Sequence, residues 1–444
     1  MKRPTLLLLG IVMSYLCFGK ELKYSSFTIA DSLKENAWSV VRTDETVYEI
    51  TSLAQTKTKR RIAITVLNEN GKKHAWKSFG YSKDQTINKV EYNTYNSLGL
   101  LGDQHGRKDL KDISYDPYGT TFTDTRLLVA KPVSNNYPYT IEYYIEYTEN
   151  NTYGAVGWHP YAKNNQSVEN SSFTVIFPSA IGLNINEQNL DSYGVNSSSG
   201  SNKLTWSVDS LLACKYEVFS PQYEKYKPFV EVGTKSFFYD GYNGSCESWK
   251  TIGAFYSKIN NGLDELSEPH KEELYDLTKS IDNDYDKVKA LYKYMQANTR
   301  YISIQVGIGG IQTIDANTVS ETGYGDCKAL SNYMMAMLKA VGIKSHIALV
   351  QSGAFDYYFN EDFVTHMGNH AILCVPLEND TVWLECTSQT MPFNYLGDFT
   401  DGRQVLLITP IGGVLAKTPN SGLSKNKINR NASVILNDDG NCTA

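Results

Sequence analysis

The sequence predicts a multidomain chain in which an all-β sandwich precedes an α+β unit. Three observations carry this. At 444 residues the chain is too long for a single hydrophobic core. Aromatic residues make up 12% of it, 32 of them tyrosine, a residue suited to half-buried sheet surfaces. Short alternating runs separated by polar turns fill the first half, and helical spacing of apolar residues takes over near Leu263.

At the N-terminus, Lys2 and Arg3 precede an apolar run from Leu6 to Phe18, then Gly19 and a polar chain. This is the pattern of a signal peptide over residues 1–19, and it predicts an exported protein of the periplasm, cell envelope or exterior. The run is shorter than the roughly 20 apolar residues of a spanning helix. Beyond the signal peptide the sequence predicts no transmembrane segment. Lipidation at Cys17 is disfavoured, because Leu16 stands where a small residue is expected.

Residues 20–255 read as the sandwich. RRIAITVLNENGKKHAWKSF predicts two strands joined at the NENG turn. In PYTIEYYIEYTE, Ile141, Tyr143, Ile145 and Tyr147 fall on one face. SSFTVIFPS and KLTWSVDS are further strands, and NSSSGSN between them reads as a loop. His74, His105 and His159 stand alone, as surface or satisfied polar residues do. The GWHPYA cluster, Gly157 to Ala162, reads as aromatic packing at a sheet edge rather than a ligand platform. No catalytic constellation occurs in this half; a glycan or a protein is the partner expected of it where it acts as a binding domain.

Residues 256–268 read as a linker and residues 269–420 as the α+β unit. Its first helix takes Ser267 as N-cap, with Glu268 and Pro269 in the first turn. In the second, Val288, Leu291, Tyr292 and Met295 recur at helical spacing and predict a buried face. SHIALV, HAILCVPL and TVWLECTS are strands, the last two joined by the LENDT turn. Residues 421–444 read as a polar linker and the start of a truncated C-terminal β domain, because VILNDDGNCTA begins a hairpin.

Composition excludes several functions. A net charge of −6 leaves no basic excess to release counterions from nucleic acid. The seven cysteines form no CxxC pair, and the seven histidines no HExxH. Neither a metal nor a cofactor is expected.

The chemistry points to GYGDC, Gly323 to Cys327. In the helix that follows, Leu330, Met334, Met337, Leu338 and Val341 share a face, and Gly342 ends it. Asp326 is a fitting N-cap, which puts Cys327 in the first turn, where the macrodipole favours a thiolate. Gly323 and Gly325 allow a sharp turn and close approach of a substrate. A thiolate needs a base that an acceptor orients. His370 opens the strand HAILCVPL, and the LENDT turn brings Glu385 to the same open end. Cys327, His370 and Glu385 therefore form a coherent nucleophile, base and acid set. His366 is a rival base four residues upstream. His346 reads as structural, and Cys374 and Cys386 as packing residues.

YGDCKALSNYMMAMLKAVGI resembles the catalytic helix of the transglutaminase-like superfamily, cysteine enzymes with a papain-like core. The likeness extends to NTRYISIQ upstream and to NHAILCVPL and WLECTSQT downstream. YPYTIEYYIEY and SWKTIGAFYSKI resemble the β-rich domain of unknown function that precedes this core in secreted or envelope-associated bacterial proteins. The resemblance implies a nucleophile at Cys327, a base at His370, which follows Asn369 as in the family pattern, and an orienting acid at Glu385. Glu385 stands where the superfamily usually carries aspartate. Ile311 stands where close relatives tend to carry tryptophan, so a reshaped substrate groove is expected. By analogy with papain-like sites, Gln305 is a candidate oxyanion donor beside the Cys327 N–H, with Tyr324 the weaker candidate.

The implied activity is a peptidase or amidase acting on a protein or peptide through an acyl-thioester. Hydrolysis is preferred because an amine acceptor must outcompete water and no segment marks an acceptor site. An amine-accepting transglutaminase and a non-catalytic envelope binding protein are the alternatives.

Overall fold

The computed structural model describes residues 22–116, 121–161, 163–222, 225–353, 360–422, 427–438 and 440–443. The expected signal peptide at residues 1–19, with Cys17, lies outside the described residues.

A short helix, α1 (Asp31–Lys34), leads into β1 (Ser39–Ser52), β2 (Gln55–Val66), β3 (Lys77–Tyr81), β4 (Gln85–Tyr95) and β5 (Leu101–Gly106). Next come β6 (Lys111–Ser114), β7 (Thr121–Thr123), β8 (Arg126–Ala130), β9 (Tyr139–Glu149) and β10 (Ala155–Trp158). The half continues through β11 (Gln166–Ile176), β12 (Leu183–Gln188), β13 (Asn196–Ser199), β14 (Lys203–Leu211) and β15 (Phe229–Thr234). It ends in the hairpin β16 (Ser236–Tyr239) and β17 (Tyr242–Ser245).

Eight strands form one sheet in the order β13-β14-β11-β1-β2-β9-β4-β5, with β1 and β11 parallel. The alternation in β9 sends Ile141, Tyr143 and Ile145 into one core with Ile64, Phe173 and Trp206. Val230 and Val232 of the sheet β10-β15-β12, and Leu128 and Ala130 of β3-β8-β6, close that core from the other side. This is the second layer of a sandwich.

Two local expectations fail here. Asn70-Gly71 does not join two strands as a hairpin. Residues Glu69–Ala75 wind into 3-10 turns, the side chain of Asn68 accepts the Asn70 N–H, and β3 pairs with β8 instead of β2. Gly71 serves a close approach, since a Cβ there would sit 2.1 Å from the Trp38 carbonyl oxygen. The NSSSGSN stretch is not all loop either, because its first four residues are edge strand β13, paired with β14. GWHPYA packs as expected: Trp158 is buried and donates through Nε1 to Ser171 Oγ at 2.9 Å.

The second half begins with α2 (Trp249–Ile259), α3 (Glu268–Thr278) and α4 (Asp284–Asn298). It runs through β18 (Arg300–Tyr301), β19 (Ser303–Gln305), α5 (Ala316–Thr322), β20 (Tyr324–Gly325) and α6 (Cys327–Ala340). Then follow β21 (His346–Val350), β22 (His370–Pro376), β23 (Thr381–Leu384), α7 (Gly397–Thr400), β24 (Gln404–Thr409) and β25 (Gly412–Lys417). The last five strands make an antiparallel sheet in the order β23-β22-β21-β24-β25. Val288, Leu291, Tyr292 and Met295 are buried as predicted, against α6 and the sheet.

Residues 256–268 are not simply a linker, and the sandwich does not run to residue 255. Ser248 and Thr251 form a capping box, and α2 buries Ile252, Phe255, Tyr256 and Ile259. That face packs on the core sheet, where a Cβ on Gly253 would lie 2.1 Å from the Gly413 backbone. Ser267 precedes α3 without capping it through its side chain. Its backbone N–H donates to Asn317 Oδ1 instead. Near the C-terminus β26 (Ile435–Leu436) and β27 (Cys442–Thr443) pair as a small hairpin. Among the described residues no helix is long and apolar enough to cross a membrane.

Candidate active site

Three chain segments converge on Cys327. Gly323 ends α5 in the left-handed conformation, φ +70°, so the chain can turn at once into β20. There Tyr324 and Gly325 run parallel to Arg300 and Tyr301. Asp326 is extended, and its Oδ1 accepts the Ala329 N–H at 2.9 Å. Its Oδ2 pairs with Lys328 Nζ, so the cap carboxylate is buried but neutralised. Cys327 follows as the first residue of a 14-residue helix that is buried on most sides. A first-turn N–H has no intrahelical acceptor and points towards the helix entrance.

The β22–β23 hairpin supplies the partners. Leu373 faces Leu384 across it, so His370 at the start of β22 and Glu385 just past β23 share one end. His370 Nε2 lies 2.8 Å from Glu385 Oε2, and their side chains are only 8% and 3% exposed. The Cys327 side chain lies against the His370 ring closely enough to favour its charged form. With Nε2 on the carboxylate, Nδ1 is the nitrogen left for the thiol. The other Glu385 oxygen accepts the Thr387 N–H at 3.0 Å and its hydroxyl at 2.6 Å. Tyr292 pins the Glu385 carbonyl through its hydroxyl at 2.7 Å.

The electrostatics follow from this geometry. Burial works against a charged His370, but the hydrogen bonds and charges of Cys327 and Glu385 outweigh it, pushing His370 up to about 10. Burial likewise disfavours the Glu385 carboxylate, yet His370 and Thr387 hold it below the usual carboxylate value. Cys327, Cys246, Cys374 and Cys386 are buried free thiols. Burial pushes Cys246 up to about 12 and Cys374 up to about 11.

The other candidates sit elsewhere. Gln305 is exposed on β19, and its side-chain oxygen lies beside Gly310. Tyr324 is 50% exposed on β20. His366 is held by Tyr153 and Tyr256, each 2.5 Å from its Nδ1. Ile311 packs with Ile252, Phe255 and Leu406. With His346 and Lys328 it lines a cavity of about 570 Å³ on a different face of α6 from Cys327. Ile311 therefore shapes that cavity.

Sequence reasoning missed several neighbours. Tyr301 comes beside Cys327 through the parallel pairing with β20. Burial raises its phenol, and the nearby Cys327, Asp326 and Glu385 add to the rise. Phe399 of α7 meets the His370 ring edge-to-face at 5.4 Å. The sandwich also reaches the site's flank, because β7 pairs in parallel with β19 and sets Phe122 opposite Ile304. NTRYISIQ carries the residues of this flank, but no local spacing announces their partners.

Residues 274–387 match the family model of the transglutaminase-like superfamily. Residues 54–215 match that of the domain of unknown function DUF3857, for which structures are solved. The crystal structure of a "putative protease" from Parabacteroides distasonis superposes with a TM-score of 0.61 at 16% identity. It covers 86% of this chain and 72% of its own, so the two share a fold. A "putative cysteine protease" from Cytophaga hutchinsonii aligns over 75% of this chain and 76% of its own. Its identity is 11% and its TM-score 0.22. No curated protein matches the chain. The chain thus carries a transglutaminase-like superfamily core at residues 274–387, preceded by a DUF3857 domain at residues 54–215.

Proposed function

We propose that the protein is an exported cysteine hydrolase that cleaves amide bonds of a protein or peptide. The observation that carries this is the convergence of the Cys327 thiol, the His370 imidazole and the Glu385 carboxylate. His370 takes the thiol proton, and Glu385 compensates the imidazolium. The thiolate attacks the substrate carbonyl carbon. The tetrahedral oxyanion is met by the Cys327 N–H, whose place in the first helical turn suits it. Gln305 serves only if its exposed side chain swings inward on binding. His370 then gives its Nδ1 proton to the leaving amine, the C–N bond breaks, and a thioester remains on Cys327. Water, deprotonated by His370, attacks the thioester and releases the acid.

The basic and apolar N-terminus supports export. Hydrolysis is favoured over transamidation because water is abundant and no acceptor site is marked. The test incubates wild type and Cys327→Ala with a denatured protein and a biotinylated primary amine. New amino termini in the wild type alone are expected. Biotin incorporation without new termini would assign transamidation instead. Neither product from either protein would refute the enzyme reading.

A further inference from the structure

We infer that Tyr153 and His366 are positioning residues for His370, so that the N-terminal β half holds the segment carrying the catalytic base. This rests on the Cys327–His370 reading above.

Residues 360–369 lead directly into β22, and side chains from outside the core sheet hold them at three points besides the bond from Trp249 Nε1 of α2 to the Glu361 carbonyl at 2.8 Å. Asn360 Nδ2 donates to Asn186 Oδ1 at 3.1 Å. Asn184 Nδ2 donates to the Val364 carbonyl at 3.0 Å and to the Cys246 carbonyl at 2.8 Å. Both asparagines belong to β12, in the second layer of the sandwich. At the third point His366 Nδ1 lies 2.5 Å from the hydroxyls of both Tyr153 and Tyr256, which also touch each other. Tyr153 comes from the β half, with its ring centroid 4.5 Å from that of His366. Tyr256 comes from α2. Burial pushes His366 down to about 4, so its ring is neutral near pH 7 and Nδ1 can accept a phenol proton. Leaving these groups without partners would be costly, so the two phenols and the ring are satisfied only together, one phenol donating to Nδ1 and the other to its neighbour's oxygen.

The constraint reaches His370 through three fixed residues. Met367 is buried. Gly368 has φ +91°, and a Cβ there would lie 3.0 Å from the Val350 carbonyl oxygen, so the chain passes tightly over β21. Asn369 donates its N–H to Val350 O at 3.1 Å, while its Oδ1 accepts the Ser352 N–H at 2.7 Å. A base displaced by even 1 Å loses much of its effect on the nucleophile. A neutral ring held by two phenols four residues upstream is a device for placing the base. That is a different role from the rival base the sequence suggested.

The test is the pH profile of Cys327 alkylation by iodoacetamide in the full chain, resolved by peptide mass spectrometry. The buried thiols Cys246, Cys374 and Cys386 report on folding in the same samples. Wild type, Tyr153→Phe, His366→Leu and His366→Asn are compared. Tyr153→Phe and His366→Leu should each slow Cys327 alkylation at pH 6 by ~10-fold, equivalent to one pKa unit lost from the pair. His366→Asn keeps an acceptor near the Nδ1 position and should retain the wild-type profile. A purely structural role would leave the Cys327 profile unmoved. Unchanged profiles in Tyr153→Phe and His366→Leu overturn the inference while leaving the enzyme reading standing. A wild-type profile with no reactivity below the ordinary thiol range overturns both. If His366→Leu unfolds and exposes all the thiols, the contrast between Tyr153→Phe and His366→Asn decides.

Discussion

Replacing Glu385 with glutamine removes the charge opposite His370 and keeps the shape. Both side chains are nearly buried, so water screens the pair little. With charge centres about 4 Å apart and an effective dielectric of about 20, their attraction is ~4 kcal/mol. At about 1.4 kcal/mol per pKa unit, that corresponds to ~3 units of imidazolium stability. Glutamine can still accept the Nε2 hydrogen, so a loss of ~2 units is the expected result, and the thiolate population at pH 6 falls ~100-fold. The assay is iodoacetamide alkylation of Cys327 from pH 4 to 10, with denatured protein as the reference for intrinsic thiol reactivity. The acid limb of the profile should move towards higher pH in Glu385→Gln. A profile that coincides with wild type would refute the reasoning, because the carboxylate would then contribute nothing to the ion pair. Glu385→Asp keeps the charge but draws it back by one methylene, and should fall between the two.

Other consequences can be measured directly. Asp326→Ala removes the cap of α6 and strands Lys328 in a buried place, so urea unfolding should show a loss of ~3–5 kcal/mol. Gly253→Ala places a methyl against the Gly413 backbone, which cannot yield as a side chain would, and should cost ~1–3 kcal/mol or more in the same assay. The His370–Glu385 pair makes stability depend on pH from both sides. His370, raised to about 10 when folded, adds stability that is full below its ordinary 6.5 and is lost as pH climbs through about 10. Glu385, held below its ordinary 4.5, adds stability that is present above that value and is lost as pH falls through its lowered one. Urea midpoints should therefore peak between these limits in wild type and flatten in Glu385→Gln.

How much of this was legible follows from how local each signal is. Cys327 was legible because Asp326, two glycines and an apolar helical stripe lie within 20 residues and describe one turn-to-helix junction. His370 and Glu385 were legible because a short hairpin leaves one register in which both reach its open end. The same local logic misread Asn70-Gly71, since a turn dipeptide does not reveal that Trp38 needs the glycine for a close approach. It misread residues 256–268 because α2 takes its meaning from Gly412 and Gly413, more than 150 residues later. The partners of β7, Tyr153 and Asn184 are set by how two separately patterned halves dock, and no period within either half encodes that. Docking of this kind also gives the sandwich a physical reason to accompany the core. A base at the first residue of a strand takes its backbone position from its strand neighbour, here Val350 of β21, and from the preceding loop, which finds hydrogen-bond partners in β12 and Tyr153 as well as in the core. The β half thus bears on the geometry of the Cys327–His370 pair, whatever else it binds.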